Sequence, residues 1–542
     1  MTAPGAWNQP PPLEGYNVVD QDRALAEALD REGAGWARDR VVAVGKLAGG
    51  EATSWGFQAN RFAPVLRTHD RFGNRIDEVE FHPAWHWLMR AGVENGLHAV
   101  PWLEPRPGAH VARAAMFMAL SQAEGGFGCP ISMTYAAVPA LRAEPVVSKE
   151  WEPRLTSLEY DPASEPVSAK RGALCGMAMT ERQGGSDVRT NTTRAVPVDE
   201  GAYELTGHKW FCSAPMCDAF LVLAQAPGGL SCFLLPRWRP DGTRNGFHIH
   251  RLKDKLGNRS NASSEVELDG AWARRVGEEG RGVATIIEMV NHTRLDCVLG
   301  TTALMRQAVA QATHHAAHRS AFGKRLVEQP LMRNVLADLC VESEAATVSA
   351  MRLARAFDDS RGDNAARPFA RLATAVLKYW ICKRGPAVAA EALECLGGNG
   401  YVEDSGMPRL YRESPLNSIW EGSGNVICLD VLRAMARRPE ATDAFFAEVA
   451  TAEGAEPRLD AYAAKLRDDL ASRPLEESQA RRLVERMALA LQGSLLVRHG
   501  DPHVTAAFVA SRLEGDAGLA IGTLPSGTDF GAIIDRARPR LE

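Results

Sequence analysis

The sequence predicts an α+β protein of several domains: a helical N-terminal part, an all-β insert, a second helical part, and an appended helical region. Three observations carry this. The chain has 542 residues, more than a single core ordinarily spans. From about Arg171 to Val276 the apolar residues come in short runs between turn residues (GALCGMAMT, YELTGHKWFCS, AFLVLAQA, LSCFLLP, SSEVELDG), the length and spacing of strands. On either side the spacing is helical, with Ala303, Leu304, Ala308, Ala312 and His315 falling on one face of a long helix.

In chain order, MTAPGAWNQPPPLEGYN lacks the basic start and apolar core of a signal peptide and reads as an extended, proline-stiffened arm. Helical runs follow at Asp22 to Glu32 and Val111 to Gln122, with the aromatic-rich FHPAWHWLMR between them. The β insert begins after Pro162, and the helical period returns near Gly277. Helices are expected near Pro330–Phe357 and Phe369–Leu396, with PRLYRES breaking the helical run ahead of the loop NSIWEGSGN. After Arg438 come more helical segments, the Gly/Pro-rich IGTLPSGTDFG and a frayed RARPRLE tail. The domains expected are thus 1–165, 166–276, 277–437 and 438–542.

Composition removes several function classes. The net charge of −5 makes no whole-chain case for nucleic acid or an anionic membrane. No apolar run reaches the roughly 18 residues a membrane span needs. The ten cysteines sit among apolar residues with no C-x-x-C, as expected of buried free thiols in a reducing cytoplasm. His314, His315 and His318 lack an acidic partner at helical spacing, so no metal is expected. Phosphate-loop, serine-hydrolase and His-Glu-x-x-His patterns do not occur.

Five stretches are candidates for chemistry. MAMTERQGGSDV (Met177 to Val188) sets Thr180 and Ser186 around Gly184-Gly185; it is either a turn between strands or a loop whose amides approach a planar or phosphorylated ligand. HKWFCSA places Trp210 and Phe211 on a strand, as core or as a surface for a flat ring. RSAFGKRLVEQP ends a helix with Gly323 as its C-cap, and Arg319 is either a phosphate partner or an ordinary C-terminal cation. LECLGGNGY follows no strand and is not a dinucleotide-binding fingerprint; it reads as a loop close to something. In NSIWEGSGN a lone carboxylate, Glu421, stands beside Trp420. An acid near a helix N-terminus is favoured by the macrodipole, but that leaves the indole unexplained.

Together these stretches resemble the acyl-CoA dehydrogenase family of flavoproteins, in the same order and at about the same spacing. WNQP, FHPAWH, RQGGSDVRTNTTRA, LKDKLGNRSNAS and LYRESPLNSIWEGSGNVICLDVLR resemble its AidB branch, the bacterial adaptive-response proteins. The resemblance spans nearly the whole chain and is thinnest after about residue 440. It implies a helical domain, a β-barrel-like domain and a four-helix-bundle domain, an FAD cofactor, and a homotetramer built as a dimer of dimers. It implies FAD contacts at Met177, Met179, Thr180, Ser186, Trp210, Phe211 and Ser213 from one subunit. Arg319, Phe322, Gln329, Gly397, Gly398 and Gly400 would reach a neighbour's FAD, and Asn425 would lie near the adenine end. Glu421 matches the base that takes the α-proton of an acyl thioester while the β-hydrogen leaves as hydride; a short or branched acyl-CoA is the expected substrate. In isovaleryl-CoA enzymes the base lies on another helix. The matching position here is Thr293, which cannot serve, and Asp296 is off that register.

The branch also implies a competing expectation: double-stranded DNA bound through the C-terminal region in an alkylation response. Arg437, Arg438, Arg481, Arg482, Arg486, Arg498 and Arg512 are available, and Arg481, Arg482, Arg486 and Arg498 could share a helix face. Residues 438–542 nevertheless hold roughly 13 basic against roughly 17 acidic side chains, and a solvated helix face explains the same arginines.

Overall fold

The computed structural model describes residues 8–361, 363, 365–472 and 476–541. The start of the proline-stiffened arm, through Trp7 of WNQP, and the last residue of the RARPRLE tail lie outside the described residues. The chain forms two compact units, each discontinuous in sequence. One comprises the segments up to Glu51, Pro107–Gln122 and from Cys297 onward; the other comprises Ala52–Arg106 and Ala123–Asp296.

The second unit carries the larger sheet and a two-stranded hairpin. A hairpin, β1 (Val65–His69) and β2 (Arg75–Glu80), stands within the N-terminal part, where the sequence predicts helical runs broken by loops and no strands. Seven strands follow: β3 (Cys175–Ala178), β4 (Arg194–Asp199), β5 (Ala202–Ser213), β6 (Ala219–Ala226), β7 (Gly229–Pro236), β8 (Phe247–Leu252) and β9 (Ser263–Val276). Their order is β3-β6-β4-β5-β9-β7, with β8 on β9, and β6 also pairs with β7. That last pairing closes β6, β4, β5, β9 and β7 into a ring, so the insert is barrel-like and these strands leave few free edges. β6 is buried over Ala219–Ala224 on both faces, which explains why AFLVLAQA reads as a continuous apolar run.

The first unit is helical. Asp22 caps the helix Arg23–Arg31 by accepting from the Leu25 amide. The helix Gly282–His318 leads into Pro330–Asp359, Arg367–Cys395 and Gly424–Arg437. Arg367–Cys395 is the hub, packing on Pro330–Asp359, Gly424–Arg437, Pro439–Ala450 and Ala480–His499. Three local expectations are corrected. Gly323 is no helix C-cap: the helix ends at His318, and Phe322-Gly323, both at positive φ (51° and 79°), form the two-residue turn of a hairpin, β10 (Ser320–Ala321) and β11 (Lys324–Arg325). PRLYRES does not break the helical run; Met407–Glu413 is itself a short helix, with Pro408 tolerated in its first turn. The RARPRLE tail is not frayed: Arg536 pairs with Glu27 (2.6 Å) and Glu344 (2.8 Å), and the Arg540 amide donates to Gln21.

The region after Arg438 is stitched to the helices before it by buried ions. Arg512 binds Asp338 and Glu342 (2.8 Å), and Arg384 binds the other Glu342 oxygen at 3.0 Å. Arg352 and Arg498 share Glu448, both at 2.7 Å. Burial alone would raise the Glu342 carboxyl, but Arg384 and Arg512 outweigh it and bring it down to about 2 from an ordinary 4.5. A carboxyl held low in the folded chain stabilises fully above pH 4.5 and loses that contribution as pH falls towards 2. Arg512→Met is therefore expected to destabilise the helical unit by about 3–5 kcal/mol at neutral pH. Thermal melting of variant and parent should converge as the pH falls below 4.5.

Candidate functional site

In the sheet unit the predicted ligand loop is anchored at three successive residues. The Met179 carbonyl accepts from Asn191 Nδ2 (2.9 Å), and the Thr180 carbonyl accepts from the Trp210 amide (2.8 Å). Glu181 is wholly buried and accepts five hydrogen bonds: from the amides and hydroxyls of Thr192 and Thr193, and from Lys209 Nζ at 2.8 Å. Burial would raise this carboxyl, but the Lys209 ammonium and the hydroxyl and amide donors bring it down to about 2. Met177 is buried in β3, Met179 and Thr180 are half-buried, and Ser186 is exposed. The Thr180 side chain lies against Gly185, where a Cβ would meet its Oγ1 at 2.4 Å, so only glycine permits that approach.

β5 presents Trp210 and Phe211 together because it bulges there. Lys209 pairs with Val266 and Cys212 with Ser264, so Trp210 and Phe211 stand opposite the single residue Glu265. The bulge keeps Lys209 and Cys212 inside while Trp210 is half-buried and Phe211 is 52% exposed. Lys253 Nζ stands 3.8 Å from the Trp210 ring centroid and 4.5 Å from that of Phe211, and it pairs with Glu265 at 2.6 Å. Ser213 Oγ lies 3.4 Å from Ser263 Oγ. The exposed Phe211 and the half-buried Trp210, beside a hydroxyl-bearing loop, form a donor set and surface that fit a flat heteroaromatic group such as a flavin.

In the helical unit, Arg319 donates to the Asn8 carbonyl, Asn8 Nδ2 donates to the Ser320 carbonyl (2.7 Å), and Gln329 Nε2 donates to the Ala321 carbonyl (2.9 Å). Phe322 at the hairpin tip is 98% exposed. Gly397 and Gly398 open the short 3-10 turn Gly397–Tyr401 and face open space, whereas a Cβ on Gly400 would meet the Leu393 carbonyl at 2.1 Å. Asn399 Nδ2 donates to Gln9 Oε1 (2.7 Å), so Asn8 and Gln9 of WNQP brace both loops. Asn425 is exposed and accepts from Arg481 Nε at 2.8 Å.

Glu421 is half-buried and lies three residues before the helix Gly424–Arg437, outside its first turn. Its φ is +57°, a sparsely populated conformation for a non-glycine residue, and Gly422 follows at +102°. Trp420 Nε1 donates to Asn417 Oδ1 (2.8 Å), and Asn417 Nδ2 donates to Thr301 Oγ1 (3.0 Å), which fixes the loop from the indole side. Thr293 and Asp296 are both buried. Of the tentative DNA residues, Arg481 and Arg482 are exposed, Arg486 pairs with Asp469 (2.6 Å) and Arg498 pairs with Glu448.

Sequence reasoning missed Glu181, Lys209, Lys378 and the brace formed by Asn8 and Gln9. Lys378 left a signal: a lone cation within the apolar helical run ATAVLKYWIC. It is 1% exposed, and its Nζ donates to the Trp420 carbonyl (2.9 Å) and to the Gly422 carbonyl.

Comparison with known proteins agrees with this architecture. Residues 8–162 match the adaptive response protein AidB N-terminal domain, residues 176–271 the acyl-CoA dehydrogenase middle domain, and residues 280–436 the acyl-CoA dehydrogenase C-terminal domain. AidB of Escherichia coli (strain K12) is 46% identical over 518 residues, covering 95% of each chain. Acyl-CoA dehydrogenase family member 11 of Caenorhabditis elegans is 33% identical over 412 residues, covering 73% of this chain and 66% of its own. The crystal structure of Caenorhabditis elegans ACDH-11 in complex with C11-CoA superposes with a TM-score of 0.85 at 29% identity, covering 94% of this chain and 92% of that one. A Bacillus anthracis acyl-CoA dehydrogenase complexed with FAD shares the fold (TM-score 0.64, 19% identity, 80% and 81% covered). The chain belongs to the acyl-CoA dehydrogenase family, in its AidB-like branch.

Glu181→Gln removes the charge that faces Lys209. The sheet unit is expected to lose about 3 kcal/mol or more, as when one partner of a buried pair is removed. Amide hydrogen exchange over 179–193 should rise in step; unchanged exchange there would show that the loop is held by its backbone alone.

Proposed function

We propose that this protein is an FAD-dependent acyl-CoA dehydrogenase in which Glu421 removes the α-proton of the thioester. The observation that carries this is Glu421 itself. It is a carboxylate in a left-handed backbone conformation, half-buried beside Trp420, in a loop fixed from two sides. A residue held in such a conformation is kept there by its surroundings, and such positions cluster at functional sites. Partial loss of water raises a carboxylate's basicity towards that of a working general base.

FAD, when bound, supplies the acceptor for the β-hydride. Among this chain's own residues, Met177, Met179, Thr180, Ser186 and Ser213 border its place and Trp210 and Phe211 offer it a flat surface. Arg319, Phe322, Gln329, Gly397, Gly398, Gly400 and Asn425 serve the FAD of a neighbouring subunit in a homotetramer. The exposure of Phe322 (98%), Leu331 (85%) and Tyr401 (83%) supports an oligomer that covers them. The substrate is a short or branched acyl-CoA. The C11-CoA bound by ACDH-11 makes a longer straight chain the natural comparison.

The alternative, protection of double-stranded DNA, needs clustered unpaired cations. Arg486 and Arg498 are taken up by Asp469 and Glu448, which favours the acyl-CoA reading. Arg481 and Arg482 remain the exposed pair. Arg481→Glu with Arg482→Glu should abolish any low-salt retention on duplex DNA, and unchanged retention would remove these residues from that role.

The deciding experiment is anaerobic titration of the flavin-loaded protein with straight and branched acyl-CoAs. One of them should bleach the flavin's visible absorbance. Glu421→Gln should keep the flavin and slow bleaching by about 10²–10⁴-fold. Bleaching at the parent's rate in Glu421→Gln would overturn the assignment of the base.

A further inference from the structure

Lys378 sits in the middle of the helix Arg367–Cys395, where water does not reach it. Its Nζ donates to the carbonyls of Trp420 and Gly422, the residues on either side of Glu421. A trans peptide is planar, with its N–H pointing opposite to its C=O. Holding the Trp420 carbonyl towards Lys378 therefore turns the Glu421 N–H away from Lys378. Holding the Gly422 carbonyl at the same cation fixes the Gly422–Ser423 peptide, so the loop is pinned on both sides of Glu421, whose φ is +57°. A cation on a carbonyl oxygen also polarises that peptide, which strengthens the N–H at its other end as a donor.

We propose that Lys378 is a positioning residue of the dehydrogenation, holding and polarising the Trp420–Glu421 peptide so that the Glu421 amide donates to the thioester oxygen as charge develops there. This rests on Glu421 being the base. The α-proton passes to the Glu421 carboxylate, and the electron pair of the broken Cα–H bond moves into the thioester carbonyl. That oxygen, now negative, accepts the amide hydrogen bond. Lys378 neither gives nor takes a proton in this step. One side chain thus governs both the carboxylate that removes the proton and the donor that stabilises the charge left behind.

A purely structural lysine would satisfy the same two carbonyls, so the test must read proton removal apart from folding and binding. A 3-thia-acyl-CoA serves, because its α-hydrogens can exchange while sulfur in place of the β-carbon leaves no β-hydride to lose. The flavin-loaded parent, Lys378→Met, Lys378→Gln and Glu421→Gln are incubated with it in D2O, and deuterium at Cα is followed by mass spectrometry. Flavin per chain, analogue affinity and amide exchange over 417–424 are measured on the same proteins. Lys378→Met should slow α-exchange by about 10–100-fold, less than the loss of an entire oxyanion donor, with affinity and flavin content within twofold of the parent. Lys378→Gln, which can still donate but carries no charge, should recover part of that rate. Exchange within twofold of the parent in Lys378→Met, with Glu421→Gln inactive, overturns the role of Lys378 and leaves the base in place. Parent-like exchange in Glu421→Gln overturns the base and this inference with it. Should Lys378→Met lose its flavin, Lys378→Gln decides, with parent-like exchange overturning the proposal and a rate at least fivefold lower supporting it.

Discussion

A long helix can run through the middle of a helical unit only if each polar side chain along it meets a partner, and the helix Arg367–Cys395 is built around that constraint. Arg371 pairs with Asp430, Lys378 takes the carbonyls of the Glu421 loop, the Trp380 indole donates to Gln492, and Arg384 pairs with Glu342. Each partner lies on a different segment of the chain. The helix therefore does more than fill a core: it fixes where the loop after Leu416, the helix Gly424–Arg437, the helix Pro330–Asp359 and the appended helix Ala480–His499 must lie. An unpaired buried charge costs several kcal/mol, so arrangements that leave these partners apart are strongly disfavoured.

The same constraint explains the charge of the appended region. Several arginines after Arg438 face acidic side chains: Arg498 at Glu448 within the appended region, and Arg512 at Asp338 and Glu342 and Arg536 at Glu344 on the helix Pro330–Asp359. Read as a linear string, these arginines suggest a binding surface. In the folded unit Arg498, Arg512 and Arg536 are internal mortar, while Arg438, Arg467, Arg481, Arg482 and Arg540 are exposed.

The alternation of helical, β and helical segments was legible in the sequence because strand-length apolar runs and helical periodicity are local properties. The insert was expected over Arg171 to Val276 and its strands run from Cys175 to Val276. The ring closure between β6 and β7 and the hairpin of β1 and β2 were not read, the first because pairing is non-local and the second because Val65–His69 and Arg75–Glu80 carry mixed polar residues with little alternation. At the site, Glu421 and the Trp210-Phe211 pair were visible as motifs. Glu181, Lys209 and Lys378 were not, because a buried charge reveals its role only when its partner is brought close, and Lys209 and Lys378 find theirs 28 and 42 residues away. Gly323 misled for a local reason: a glycine after a helix suits a C-cap and a two-residue hairpin turn equally well, and the four residues between His318 and Gly323 decide for the turn.

Asn8 and Gln9 close hydrogen bonds to Ser320 and Asn399, 312 and 390 residues further along the chain. On a ribosome Asn8 and Gln9 are made long before Ser320 and Asn399, their hydrogen-bond partners. Closing loops of that length carries an entropic cost that local contacts must offset first. The hairpin at Phe322 and the turn at Gly397 thus gain these braces only after the helices and strands between have been made. In these two contacts residues made early come to rest on glycine-bearing loops made 312 and 390 residues later.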